Sequence, residues 1–261
     1  MLKTLFKNRV VLWELAKNDR KARFSSALLG GIWSFLQPLI NMLVIWLVFQ
    51  VGFKASNLAD DTPFIIWYMP AFLIWTYFQD ALSQSSSSLL EYAYLVRKVN
   101  FNVEIIPPIK IISNAIIHCF FLVFIVIVNL CYGKMPSVYN LQAFYYFFCA
   151  AALALAIGWF CAGLAPFATD ITNIVAILIQ LGFWITPIFW DPSNLKDSVK
   201  LLLKLNPMYY VCMGYRDSFV YEKLFTEHMH QTLYFWTLTL ILWAIGVRTY
   251  KKSMPHFADV L

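Results

Sequence analysis

Along the chain, long apolar stretches alternate with short polar ones, and a helix needs about 20 apolar residues to cross a bilayer. Six stretches meet that length, at roughly 30–52, 64–83, 110–132, 142–165, 171–190 and 232–250. The third contains IISNAIIHCFFLVFIVIVNLCY, which carries no charge. Runs of this length exceed strands and ordinary core helices. The pattern therefore predicts an all-α integral membrane protein, a single domain over 1–261 with six transmembrane helices. An even number of crossings puts both termini on one side.

The segments between the stretches have patterns of their own. Residues 1–26 predict an amphipathic interfacial helix: Leu2, Leu5, Phe6, Val10, Trp13 and Ala16 recur at helical spacing, and Lys and Arg fill much of the rest. In 84–109, a polar SQSSSS run precedes LLEYAYLVRKVNF. There Tyr92, Leu95, Val96 and Val99 share one helical face, with Glu91, Arg97 and Lys98 elsewhere. Pro107 and Pro108 end that helix. A short amphipathic helix between two spans either docks into a partner's groove or caps the bundle. In 191–231, the run VKLLLKLNPMYYVCMGY is too apolar for a free loop, and Asn206-Pro207 breaks it. It reads as a re-entrant hairpin or as a helix on the outer surface, shaping the exit of any pathway.

Composition sharpens the picture. The chain is 61% hydrophobic and only 13% charged, where a soluble domain carries about 25% charged residues. Net charge is +6, yet thirteen of the twenty Lys and Arg lie on 1–29, 84–110, 166–170, 251–261 or the adjoining helix ends. The positive-inside rule then makes those segments and both termini cytoplasmic, and nucleic acid is not an expected partner. The first 25 residues show no cleavable signal pattern. Five cysteines form no CxxC pair, and the first four, Cys119, Cys131, Cys149 and Cys161, lie in or at the ends of apolar runs and read as small buried hydrophobes.

The motifs of chemistry are missing. No G-x-x-x-x-G-K-[ST] phosphate loop, G-x-S-x-G elbow or H-E-x-x-H helix is found. His228-Met-His230 is too few ligands for a metal site. The expectation is a non-enzyme with no metal and no cofactor of its own. Within the spans, Asp80 and His118 are the notable ionisable groups, beside neutral Gln37, Asn41, Asn114, Asn173 and Gln180. Ion-coupled carriers place acidic groups or histidines at the membrane midplane, so energy is expected from another chain. Ala150, Ala154, Gly158 and Ala162 recur every four residues, a stripe for close helix packing. Among ten Trp, fourteen Tyr and twenty-three Phe, several fall at span ends, while Trp46, Trp75, Phe183 and Trp184 lie nearer mid-span. Such rings either stack on sugars or simply pack.

Several stretches together resemble permease subunits of polysaccharide-exporting ABC transporters. RKARFSSALLGGIWSFLQPLI at 20–40 is similar to that family's entry to the first span, and LVRKVNFNVEIIPP at 95–108 to its coupling region. TDITNIVAILIQLGFWITPIFW at 169–190, LNPMYYVCMGYRDSF at 205–219 and the terminal HFADVL complete the series in order. Phe101-Asn102 replaces the family's frequent Phe-Pro, and Thr169-Asp170 its frequent Arg-Asp. The resemblance implies a homodimer paired with two nucleotide-binding ATPase subunits, which hold ATP and Mg. The cargo would be a glycan on a polyprenyl-diphosphate lipid, O-antigen first, with teichoic acid or capsule as alternatives, exported across the bacterial cytoplasmic (inner) membrane. Under this resemblance Glu91, Tyr92, Leu95, Arg97, Lys98 and Asn100 would couple to the ATPase. Arg20, Lys21 and Arg23 would meet the lipid diphosphate or membrane headgroups, and Trp46, Trp75, Phe183 and Trp184 would line the channel. Asn206, Pro207, Tyr209, Tyr210 and Arg216 would form an extracytoplasmic gate. The competing readings are an ABC exporter of drugs or small lipids and an ion-coupled carrier or channel.

Overall fold

The computed structural model describes residues 1–23, 28–52, 62–97, 101–193 and 195–261, and no strand occurs among them. Two helices, α1 (Leu2–Lys7) and α2 (Arg9–Arg23), precede α3 (Trp33–Leu47), which a π turn extends to Gly52. Next come α4 (Phe64–Glu91), α5 (Ala93–Val96), α6 (Ile106–Cys131), α7 (Gln142–Leu164) and α8 (Asp170–Ile185). A helical pair follows, α9 (Asp197–Lys204) and α10 (Pro207–Arg216), and a π turn carries α10 to Tyr221. The last elements are α11 (Met229–Ser253) and α12 (Phe257–Val260).

Each of the six apolar stretches forms a helix. Among the described residues, four helical stretches are both long and apolar enough to cross a membrane: Gly30–Gly52, Val103–Cys131, Val138–Leu164 and Phe225–Val260. The helix α4, 28 residues long, is diluted by its tyrosines, glutamines and serines. The helix α8 has 16 residues, about 24 Å at 1.5 Å per residue, against a hydrocarbon core of about 30 Å.

The bundle is organised around α4, which packs on α3, α6, α7, α8 and α10. Its length departs from the sequence expectation, because the helix runs straight through the serine stretch to Glu91. The hydroxyls explain this. Ser86 donates to the Leu82 carbonyl at 2.8 Å and Ser88 to the Ser85 carbonyl at 2.7 Å, so these polar groups are satisfied within their own helix. Ser85, Ser86 and Ser88 are all buried. Their small size admits α7 so closely that a Cβ on Gly158 would collide with the Ser85 side chain. The stripe Ala150, Ala154, Gly158 and Ala162 is buried inside the chain, as internal packing requires.

The α9–α10 pair divides into two environments. Leu201 and Leu202 on α9 are exposed, whereas α10 is buried from Met208 to Tyr210 and from Gly214 to Arg216. Asn206 starts α10 by accepting from the Met208 amide at 3.0 Å, while its amide nitrogen donates to Thr186 Oγ1 at 2.8 Å. Tyr215 meets His118 Nε2 at 2.7 Å, half-way along α6. The hairpin thus reaches deep between the long helices. Gly214 makes that approach possible, since a Cβ there would fall inside the Tyr146 ring, itself fully buried. Gly214→Ala is expected to cost about 1–3 kcal/mol by overpacking, read as a lower unfolding temperature of the purified protein. An unchanged temperature would mean that α10 does not seat on α7 in this way.

Candidate functional site

Two arrangements of polar groups stand out in a chain so apolar. The first joins α2 to the ends of α4 and α6. The Lys110 ammonium donates to Asp19 Oδ1 and to Glu91 Oε2, both at 2.6 Å. Tyr92 OH donates to the same Asp19 oxygen at 2.7 Å, and the ammonium lies 5.1 Å from the Tyr92 ring centre. Arg23, one helical turn after Asp19, closes the cluster at 3.8 Å from Asp19 Oδ2. It also donates to Asn114 Oδ1 at 3.3 Å and, more closely, to Gln84 Oε1. The side chains of Asp19 and Lys110 are only 6% and 5% exposed. Two cations and two carboxylates share the cluster, so their desolvation is offset by close contacts. Burial raises the Asp19 carboxyl, but the bonds from Lys110 and Tyr92 outweigh it and hold the pKa below the ordinary 3.8. Burial first, then the bond to Asp19, pushes the Tyr92 phenol upward and keeps it a proton donor. Sequence placed this helix on the membrane by its apolar stripe. The structure leaves Phe6, Val10 and Trp13 exposed and turns Leu12, Ala16 and Asp19 inward.

The second arrangement is a pair of polar grooves either side of α4. One, of about 220 Å³, lies between α3 and α4 and is lined by Gln37, Asn41, Thr76, Gln79, Asp80 and Gln84, among others. The other, of about 280 Å³, lies between α4 and α8 and is lined by Gln79, Asp80, Ser83, Gln180 and Phe183, with Ala176 and Ile179. Gln79 and Asp80 face both. Asp80 is half-buried within an otherwise apolar part of the bundle, where a carboxylate is expensive, which makes these grooves a candidate site.

The sequence-selected residues distribute unevenly over these features. Glu91 and Tyr92 belong to the charged cluster, and Leu95 is buried beside them on α5. Arg97 is exposed and donates to the Leu261 carbonyl. Lys98 and Asn100 lie outside the described residues. Of the basic trio, Lys21 is exposed, Arg20 is half-buried and Arg23 is engaged in the cluster. Trp75 and Phe183 meet between α4 and α8 with ring centres 6.2 Å apart, Trp184 reaches Phe183 at 5.7 Å from the exposed flank of α8, and Trp46 sits apart on α3.

On the other end of the bundle, Asn206 and Pro207 shape the start of α10. Tyr209 is buried, and Tyr210 OH meets Thr232 Oγ1 at 2.9 Å and Tyr145 OH at 3.1 Å. Arg216 is completely buried. It stacks at 3.5 Å on Trp67 and donates to the carbonyls of Trp67 at 3.2 Å and Ile188 at 2.6 Å.

Asp19, Lys110 and the double-facing role of Asp80 escaped the sequence reading. The available signal was placement: Asp19 falls on the Leu12–Ala16 face of α2, and Lys110 sits within the uninterrupted apolar start of α6. A charge on a face that should be apolar needs a partner.

A family model described as ABC-2 type transporter matches residues 10–220, which takes in the charged cluster, both grooves and all of α10. The chain belongs to the ABC-2 type transporter family. This ABC-2 permease is therefore a multi-pass membrane protein, as the sequence pattern indicated. An O-antigen export system permease protein RfbA of Myxococcus xanthus is 25% identical over 226 residues, covering 86% of this chain and 85% of that one. Two proteins of the same name from Klebsiella pneumoniae are 23% and 22% identical over 248 residues, each covering 95% of this chain and 93% of the relative. The family resemblance read from the motifs holds, and its members are named as permeases.

Proposed function

We propose that this ABC-2 permease is the membrane subunit of an ATP-driven exporter of polysaccharide attached to polyprenyl diphosphate, with O-antigen the foremost cargo. The observation that carries the reading is similarity over nearly the full length to three proteins each named as an O-antigen export permease. Six helices cross the bacterial inner membrane in this reading, with both termini and the charged cluster on the cytoplasmic side. Two copies meet through the apolar flank of α8, whose Ile174, Ile177, Leu178 and Leu181 are exposed in the single chain. The grooves beside α4 become the polar wall of the conduit. Trp75, Phe183 and Trp184 offer rings to sugars, and Arg20 and Lys21 meet the diphosphate, which pairs well with guanidinium groups.

Two ATPase subunits, with their ATP and Mg, dock beneath Glu91, Tyr92, Leu95 and Arg97. Reversing the charge at Arg97 and Lys98 together should leave ATP hydrolysis by the assembled complex intact and abolish transport. Transport at the wild-type rate per ATP would remove this docking assignment. The function itself is tested by deleting the gene and following the surface polymer. Loss of surface glycan with accumulation of lipid-linked glycan inside is expected, and normal surface glycan in a strain without a paralogue would refute the reading.

A further inference from the structure

At the end of α6 opposite Lys110, a cavity of about 290 Å³ opens between the α6–α7 connection and the π turn after α10. Its wall carries Lys134 on one side and Glu222 on the other, with Asn129 and Asn140 between and Val126, Met135, Phe219 and Val220 as apolar lining. Three observations point to an occupant, although Glu222 itself is exposed. Lys134 and Glu222 have opposite charges and line one space, yet no ion pair or hydrogen bond joins either side chain to another described residue. Asn129 is 6% exposed, and its Oδ1 is buried without a hydrogen-bond partner. An acceptor left so costs about 1–3 kcal/mol unless something donates to it. Glu222 ends the π turn with φ 53°, a left-handed conformation uncommon for a residue other than glycine, which fixes the direction of the chain at the cavity wall.

The surroundings identify the solvent that this cavity meets. Val126 and Asn129 lie within the last two turns of the apolar α6, whereas Lys134 and Met135 lie beyond its end. Met135 lines the cavity and is exposed, and so are Ile127, Leu130, Tyr132, Val138 and Leu141 on the adjoining end of α6 and the connection to α7. That is too much uncovered apolar surface for a water-facing loop. Apolar side chains grouped with one cation and one anion at the end of a long apolar helix match the boundary between hydrocarbon and headgroups.

We infer that this cavity is a binding site for the headgroup of a zwitterionic phospholipid, phosphatidylethanolamine by chemistry. The Lys134 ammonium takes the phosphate. The ethanolamine ammonium donates to the Glu222 carboxylate and to the orphaned Asn129 Oδ1. The acyl chains then run down past Val126 and Ile127. A headgroup of both signs is what two unpaired, opposite charges in one cavity select. A choline headgroup has no N–H to give Asn129, and a glycerol headgroup has no cation for Glu222. The inference is independent of which cargo the permease moves.

Native mass spectrometry of the purified permease, equilibrated with equimolar phosphatidylethanolamine, phosphatidylcholine and phosphatidylglycerol, tests it. Wild type should retain the ethanolamine lipid about fivefold over the choline lipid, roughly the worth of one hydrogen bond. Glu222→Gln combined with Asn129→Leu, which removes both acceptors of the ethanolamine N–H groups, should bring the two to parity, and Lys134→Ala should lower retention of both. Monodisperse elution and normal assembly with the ATPase serve as the check that each variant is folded. Equal retention of all three lipids by wild type would overturn the inference. So would an ethanolamine preference that survives both substitutions, or displacement of bound lipid by soluble glycan.

Discussion

Lys110→Ala should release α2 from the bundle while the rest of the protein stays folded. The substitution removes the one cation shared by Asp19 and Glu91, leaving the Asp19 carboxylate buried with only Arg23, at 3.8 Å, to neutralise it. Breaking a buried pair by removing one partner costs about 3–5 kcal/mol. Glu91 escapes that cost because its side chain is 47% exposed. Asp19 escapes it only by moving, and α2 is a peripheral helix held chiefly against α6. Swinging α2 outward hydrates the carboxylate at the expense of Leu12 and Ala16, two small to medium side chains. The strain is thus relieved locally. In a cysteine-free background, Leu12→Cys should be protected from a water-soluble maleimide with Lys110 present and labelled when it is alanine. Lys110→Arg, which keeps the charge, should restore much of the protection. Protection unchanged in the alanine variant would show that α2 is held by its apolar contacts alone. Since Glu91 and Tyr92 begin the proposed ATPase seat, the released variant should also lose coupling of hydrolysis to transport.

The second large effect is expected at Arg216. Its guanidinium is entirely buried, with no carboxylate within ion-pair distance among the described residues, and carbonyls and a Trp67 face stand in for water. Arg216→Met keeps the volume and loses the donors. Two charged hydrogen bonds and a desolvated cation–π contact are worth several kcal/mol together. Removing an unpaired charge gives part of that back. A net loss of about 2–4 kcal/mol remains, which for a protein of this size lowers the unfolding temperature by about 5–15 °C. Arg216→Lys should fall between, because an ammonium cannot reach both carbonyls while stacking on the ring. A methionine variant as stable as wild type, yet inactive, would make Arg216 a contact for the cargo in place of an anchor for α10.

How much of this was legible beforehand varies with the range of the interaction. Helices follow from apolar runs, which are local: each of the six runs forms one, and among the described residues four are long and apolar enough to cross a membrane. The serine run read as a loop because composition alone does not show that hydroxyls can bond back into their own helix, or that α7 needs small neighbours at Ser85. The charged cluster was illegible for a different reason. Asp19 and Lys110 are 91 residues apart, and each looked like an ordinary charge flanking an apolar segment. Only Asp19's position on the inward face of α2 hinted otherwise. Arg216 entered as a gate residue from the family resemblance, and its contacts in the fold are those of an anchor. Aromatic residues remain the hardest to read, since Trp75 and Trp184 look alike in sequence. One is buried between α4 and α8, and the other is open on the flank of α8.

Reconstitution tests the central claim most directly. Purified permease and its ATPase partner are placed in liposomes with lipid-linked O-antigen glycan on the ATPase side, and the glycan reaching the opposite leaflet is measured by its protection from a membrane-impermeant glycosidase. Export requires that protection rise only when ATP and both chains are present, and that it stop when hydrolysis is blocked. Glycan that stays fully cleavable while the complex hydrolyses ATP, or that crosses equally without ATP, would contradict it.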